Sequence, residues 1–386
     1  MKHLTYGGST MLRTLNCTAW VSEAAKMPPN DSSSVFADEG TLLHNCMEEI
    51  MGVEGLSIPQ LVEAPAMYGS ATLTQELVAT KINPAQEAIH ELAEEYGFDP
   101  YDKNSVLVEP FVELIPDESG GSIDMLAVSD DGKTVLVIDY KFGHNTVSAE
   151  NNAQLLFYAL CADVDPTTAD MFKHAEKLVL AIVQPNADGD VLDVWETPID
   201  VLDQFEVDVY GAIKASKENP VHKAGTWCTY CPAVALCPLK TGVAEASKRL
   251  DPTQTANLSQ ALTMVPEIEA WIKAVNKLAY EQLESGVAID GFKLVNKRAS
   301  RVWSREDEIA DKIRKMRKVP VSETFTTKIK SPAQMEKLFK EKGVDTSVLS
   351  DYITSVSSGT TVAKASDKRP DATPTRALQM LADRLK

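Results

Sequence analysis

The chain has 386 residues, 44% of them hydrophobic, and a formal net charge of −18. That length holds two or three domains with a sizeable core, and the composition is ordinary for a globular protein. No apolar run reaches the length that spans a bilayer and nothing at the N-terminus reads as a secretory leader, so a cytoplasmic protein with reduced thiols is expected.

Residues 1–35 read as irregular and polar, with Pro28-Pro29-Asn30-Asp31 and Ser32-Ser33-Ser34 marking a loop. A helix follows, with Ser34 or Asp38 as its cap. Within it, the run Gly40 to Glu48 puts His44 and Glu48 one turn apart on one face. Residues 72–97 read as helix, interrupted at Pro84, which could start a second helix. Residues 104–140 form a strand region, opening with the extended run Val106 to Glu113.

Thr134-Val135-Leu136-Val137-Ile138-Asp139-Tyr140-Lys141 reads as a largely buried strand. Ser122 to Val128 should pair with it through the turn Ser129-Asp130-Asp131-Gly132. Alternation then puts Asp139 and Lys141 on one face and Tyr140 on the other, and brings Asp124 towards Asp139. Two adjacent carboxylates repel and need a cation, and oxygen ligands suit Mg²⁺ or Mn²⁺. Such an ion would polarise a phosphate and activate a water, with Lys141 orienting that water or neutralising charge. The plainer reading is a solvated Asp-x-Lys face, but these charges end an otherwise apolar strand, where an unpaired charge is costly.

A helix starting near Val147 and covering 148–162 carries Gln154 and Tyr158 at spacing four. Lys177 to Gln184 is a buried strand, Val191 to Glu196 its neighbour, and a helix runs from Pro198 towards Ser216. This order predicts an α/β fold, a mixed sheet flanked by helices. Cys228-x2-Cys231-x5-Cys237 is too compact for a disulfide framework and implies a metal site that needs a fourth ligand. Trp227, Tyr230, Pro232 and Pro238 would shield it. Cys46 and Cys161 fall inside predicted helices and read as small buried side chains. There is no internal repeat. Asp131-Gly132-Lys133-Thr134 is a turn rather than a phosphate loop, so no ATPase is expected.

Taken together, these motifs resemble the RecB-like branch of the PD-(D/E)XK nuclease superfamily. The likeness is to its iron–sulfur members: CRISPR-associated RecB-like exonucleases, the AddB nuclease domain and related phage proteins. It covers roughly residues 11 to 240. The resemblance implies metal ligation by His44, Asp124, Asp139 and the Tyr140 carbonyl, and a catalytic set of Asp124, Asp139, Lys141, Gln154, Tyr158 and Glu48. It also implies that Cys17 joins Cys228, Cys231 and Cys237 around a [4Fe–4S] cluster, because one cysteine precedes the nuclease core and three follow it. A Cys₄ zinc site uses the same spacing and stays open as the alternative. A group joining Cys17 to Cys228 would close a loop of about 210 residues, a constraint on the order of 5 kcal/mol. The activity implied is metal-dependent DNA cleavage, exonucleolytic by resemblance, in phage or bacterial recombination, repair or processing. The alternatives are a non-catalytic DNA-binding or assembly module and a zinc-binding regulatory protein.

Beyond the polar stretch Lys240 to Gln254, a long amphipathic helix is expected over Ala256 to Leu283, packing on the nuclease domain or on a partner. The expected division is 1–240 nuclease domain, 241–290 helical connector and 291–386 basic domain. Residues 291–386 hold 21 Lys+Arg and 12 Asp+Glu, against 17 and 44 in residues 1–290. The basic region could grip DNA or simply balance the acidic half. A hairpin near residues 292–298 carries Lys293, Lys297 and Arg298, and with Arg301 and Trp303 could hold a strand by phosphate contact and stacking. A charged exposed hairpin is the equal alternative. Recombination or replication proteins are possible partners, the oligomeric state is open, and the last 30 residues read as loosely ordered.

Overall fold

A computed structural model describes residues 4–28, 35–52, 66–251, 253–284, 287 and 289. The chain divides into two units, Met1–Val295 and Asn296–Lys386. The second unit, the hairpin near residues 292–298 and the loose tail lie outside the described residues, and so do Ser34, Lys293, Lys297, Arg298, Arg301 and Trp303.

The N-terminal segment corrects the sequence reading. Instead of irregular chain it forms α1, Gly8–Asn16, and α2, Trp20–Ala24. Glycine, serine and threonine make α1 a poor helix former, but it buries Met11, Arg13 and Thr14. Tertiary burial overrides local propensity here. The helix α3, Val35–Met51, is followed by the short strands β1, Met67–Tyr68, and β2, Ala71–Thr72. Residues 72–97 hold α4, Gln75–Leu77, a π turn over Val78–Ile82 and α5, Asn83–Tyr96, with Pro84 in the first turn of α5. The helical run is continuous through the π turn, and Pro84, which has no N–H to donate, lies just after it.

The strands are β3, Val106–Val108; β4, Phe111–Ile115; β5, Ser119–Ser122; β6, Met125–Val128; and β7, Thr134–Tyr140. Then come α6, Ala153–Val164; β8, Lys177–Val183; β9, Leu192–Pro198; and α7, Val201–Glu218. Thus Pro198 ends a strand rather than starting the helix. The main sheet has the order β3-β6-β7-β8-β9. Its β7–β8 pair is parallel and the other three pairs are antiparallel, so the sheet is mixed. A parallel pair needs a long crossover, which α6 supplies.

Strand β7 is buried on both faces because helices cover both. Leu136, Ile138 and Tyr140 pack with Leu43 and Met47 of α3 and Ile89 and Leu92 of α5. Val135 and Val137 pack with Met11 of α1, Leu155 of α6 and Val209 of α7. Each fully buried aliphatic side chain contributes about 1.5–3 kcal/mol. The result is the expected α/β architecture, a five-stranded mixed sheet flanked by helices.

The 240–254 stretch also differs from its reading as a polar separator. It begins with α8, Pro238–Ser247, which packs on α9, Thr255–Glu284. Buried Lys240 of α8 pairs with Glu267 of α9, a tertiary anchor that polarity alone does not reveal. Among the described residues, no helix is long and apolar enough to cross a membrane.

Candidate metal and cysteine sites

Three carboxylates share one row at an end of the sheet. The register pairs Val108 of β3 with Met125 of β6, and Met125 with Ile138 of β7. One step further along lie Glu109, Asp124 and Asp139. The Glu109 backbone N–H donates to the Asp124 carbonyl at 3.1 Å, so the row continues past the formal strand ends. Glu109 has φ 52°, a left-handed conformation unusual for a side chain with a Cβ, and Pro110 follows it. The kink ends β3 and starts β4 in a separate hairpin with β5.

Asp124 is the hinge of the site. Its Oδ1 lies 3.2 Å from His44 Nδ1, and its Oδ2 accepts the Tyr140 backbone N–H at 2.6 Å. Ligand atoms of His44, Glu109 and Asp124 all lie within 4.8 Å of one another. A nitrogen and two carboxylates at that spacing suit a divalent ion. Glu109 was absent from the predicted ligand set. The signal that could have found it is the proline break after it, together with the strand register.

Asp139 sits beside this group and is held from α6. Its Oδ1 accepts from Gln154 Nε2 at 2.8 Å, and its Oδ2 lies 2.6 Å from Lys141 Nζ. Lys141 donates to Gln154 Oε1 at 3.2 Å, and Gln154 reaches the Tyr158 hydroxyl at 3.5 Å. The α6 helix starts at Ala153 rather than near Val147. Asn151 has φ 53°, Asn152 caps the helix, and Gln184 ties Val147 down through both backbone groups. Tyr158 packs where Gly8 and Gly121 leave room; a Cβ on Gly8 would stand 2.5 Å from its ring.

As the strand alternation predicts, Asp139 faces α6 while the Tyr140 ring faces α3, 6.1 Å from the His44 ring. Among the described residues, the buried Tyr140 hydroxyl has no hydrogen-bond partner. Glu48 lies one turn beyond His44 on α3. It is exposed, outside the three-donor group, and acts on Glu109 through its charge. Glu113 lies off the row, and its backbone N–H donates to Asp165.

Electrostatics separate the carboxylates. Burial, reinforced by Asp124, pushes Glu109 up to about 7. Burial likewise raises Asp139 to about 6, against the pull of Lys141. For Asp124, burial opposes ionisation, but His44, the Tyr140 N–H and Lys141 together outweigh it and hold this carboxyl below its usual range. His44 is raised: burial lowers it, and Asp124 and Asp139 more than reverse this. Without a cation, the site therefore retains protons near neutrality.

The cysteines form a second, separate site. Cys17 follows α1, Cys228 ends a 3₁₀ turn over Thr226–Cys228, and Cys237 caps α8. Together with Cys231, they line one cavity. Cys17 is buried and the other three are half-buried. The chain segments carrying them meet through the Ala19 N–H to the Val221 carbonyl, 3.2 Å, and the Val221 N–H to Thr18 Oγ1, 2.8 Å. Trp20 and Trp227 pack on this cluster. Tyr230, Pro232 and Pro238 do not shield it; all three are exposed, and Tyr230 accepts from Asn145 instead. Cys46 and Cys161 are buried in helices, as expected.

The fold and its residues define an α/β protein with a histidine–carboxylate site at the sheet end and a four-cysteine cavity beside α1. By family comparison the chain belongs to the family described as Protein of unknown function (DUF2800), matched over residues 3–370. Among solved structures, the crystal structure of SSO0001 is similar at 14% identity, covering 59% of this chain and 94% of that one. Its TM-score of 0.22 is too low to carry an argument.

Proposed function

We propose that this protein is a metal-dependent deoxyribonuclease of the PD-(D/E)XK, RecB-like type, acting on DNA ends. The observation that carries the reading is the row Glu109–Asp124–Asp139 with His44 on one side and Lys141 on the other. His44, Glu109 and Asp124 would hold one divalent cation, Mg²⁺ or Mn²⁺, with Asp139 positioned to share it. When bound, such an ion supplies Lewis-acid polarisation of a phosphate and lowers the pKa of water.

The chain's own groups do the rest. Gln154 fixes Asp139 and Lys141 together, so the ammonium is presented at a defined place. Lys141 is partly exposed and can meet charge developing on a phosphate oxygen. Glu109, raised to about 7 by burial, must give up its proton for a cation to bind. Tyr158 and Gln154 hold the geometry from α6.

The four cysteines fit a thiolate-bound metal group, which we take to be a [4Fe–4S] cluster. Cys17 before the core and Cys228, Cys231 and Cys237 after it is the order that the resemblance gives for such a cluster, and a Cys₄ zinc site is the alternative. The group's role is to tie the segment after α1 to the segment before α8.

The test is a time course on end-labelled linear duplex DNA, using anaerobically purified protein with chelator, Mg²⁺ or Mn²⁺. Metal-dependent shortening from the ends supports the reading. Retention of DNA without cleavage, from protein with full metal content at the cysteines, points to a binding or assembly module instead.

A further inference from the structure

Three cations are buried among the described residues. Lys81 pairs with Glu39, and Lys240 pairs with Glu267. Arg13 is 7% exposed, and among the described residues no carboxylate oxygen lies within 4.0 Å of it. A buried charge without a counter-ion costs several kcal/mol, so a cation retained in that state implies an anion.

The surroundings of Arg13 identify that anion. Arg13 stands four residues before Cys17, on the same face of α1, and its carbonyl accepts the Cys17 N–H at 2.8 Å. The guanidinium donates from Nε to the Trp227 carbonyl at 3.4 Å and from an Nη to the Tyr230 carbonyl at 2.7 Å. Trp227 immediately precedes Cys228, and Tyr230 immediately precedes Cys231. The guanidinium carbon lies 5.0 Å from the Trp20 ring centroid, which fixes the plane of the fork. Arg13 lines the same cavity as all four cysteines. Burial lowers its pKa, and Cys231, Cys228 and Cys17 act against that. Four thiolates on a metal group carry a net negative charge, and arginine stays protonated when buried.

We propose that Arg13 is the counter-cation and positioning residue of the four-cysteine site. It holds the Trp227–Cys231 loop against α1 and balances the charge of a metal group bound by the thiolates. This rests on the metal-binding reading of the cysteines given above. The two roles separate chemically. Lysine keeps the charge but loses the fork, and methionine keeps the bulk but loses the charge.

The experiment uses the full chain, purified anaerobically, as wild type, Arg13→Lys and Arg13→Met. Metal and acid-labile sulfide per chain are measured, then the rate of metal release to excess chelator, then the melting of each metal-free chain. Partners of metal ligands typically matter by about 10- to 100-fold in affinity. Arg13→Met is therefore expected to release metal at least about tenfold faster than wild type. Arg13→Lys, which keeps the charge and loses the fork, should release metal faster than wild type but more slowly than Arg13→Met. Metal-free Arg13→Met should melt no lower than wild type, because the uncompensated charge has gone. Equal release from wild type and Arg13→Met overturns the proposal. So does equally fast release from both variants with a lowered metal-free melt, which marks a packing role alone. A wild-type chain that takes up no metal at all removes the underlying reading as well, and that result is visible before any variant is made.

Discussion

The sheet-end site and the cysteine cavity use opposite construction. The first is placed by strand register: Glu109, Asp124 and Asp139 fall in one row because β3, β6 and β7 pair as they do. The second is placed by loops and helix ends from far-apart segments, with Cys17 near one end of the described chain and Cys228, Cys231 and Cys237 beyond α7. Their cations differ too. Lys141 has a carboxylate partner in Asp139 and a neutral one in Gln154, so it is satisfied without metal. Arg13 has, among the described residues, two carbonyls and the Trp20 ring. A sheet can hold ligands in place before metal arrives, whereas a loop site depends on its metal for shape. The first site should therefore be preorganised and the second coupled to folding.

The largest effect that sharpens this contrast is at the cysteines. Cys228→Ser is expected to lose the thiolate-bound metal and to open the N-terminal segment to protease, with a stability loss on the order of 3–5 kcal/mol. Mn²⁺ binding at the sheet end, followed by calorimetry, should change by no more than a few-fold. Collapse of both sites together would break the distinction.

Next in size is Asp124→Ala. It removes the group that touches His44 and the Tyr140 N–H. Mn²⁺ binding should fall by at least about 100-fold, with metal at the cysteines unchanged by elemental analysis.

The pH dependence follows from Glu109 and His44. Both are raised, Glu109 to about 7, and both must shed a proton to bind a cation. Mn²⁺ affinity should rise with pH by up to about tenfold per unit for each proton displaced, and the Glu109 contribution should level off above about 7. A flat profile would mean that the cation binds elsewhere.

Glu109→Gln gives a smaller, opposed pair of effects. In the metal-free chain the folded state keeps the Glu109 proton to about 7, above the ordinary range near 4.5, so its cost appears as pH rises through that window. At pH 8 the variant should be more stable by about 1 kcal/mol, allowing for solvent screening, while binding Mn²⁺ more weakly. Smallest of all is Tyr158→Phe. It loses one 3.5 Å contact to Gln154 and should alter cleavage less than about threefold.

Much of the sheet-end site was legible because strand alternation is a strong local signal. Asp139 and Lys141 share a face, Tyr140 takes the other, and the hairpin with Met125–Val128 puts Asp124 where the period-two pattern requires. Glu109 was missed because its place depends on a left-handed backbone before Pro110, a conformation that sequence pattern does not announce. For Glu48 the local signal says less. Helical spacing put it on the His44 face, but one turn further along α3 that face is already exposed. The helix α1 was illegible because its composition disfavours helix and its stability comes from packing on the far side of the sheet. The cysteine spacing was readable, yet nothing in it pointed to Arg13, whose meaning lies in the absence of a carboxylate beside it among the described residues.

The most direct test of the central claim pairs single-turnover cleavage of labelled duplex DNA with Mn²⁺ binding, for wild type, Asp124→Ala and Lys141→Ala. The account predicts that wild type binds and cuts, that Asp124→Ala does neither, and that Lys141→Ala still binds Mn²⁺ but cuts at least about 100-fold more slowly. A Lys141→Ala chain that cuts at the wild-type rate, or a wild-type chain that binds Mn²⁺ and leaves DNA intact, would contradict it.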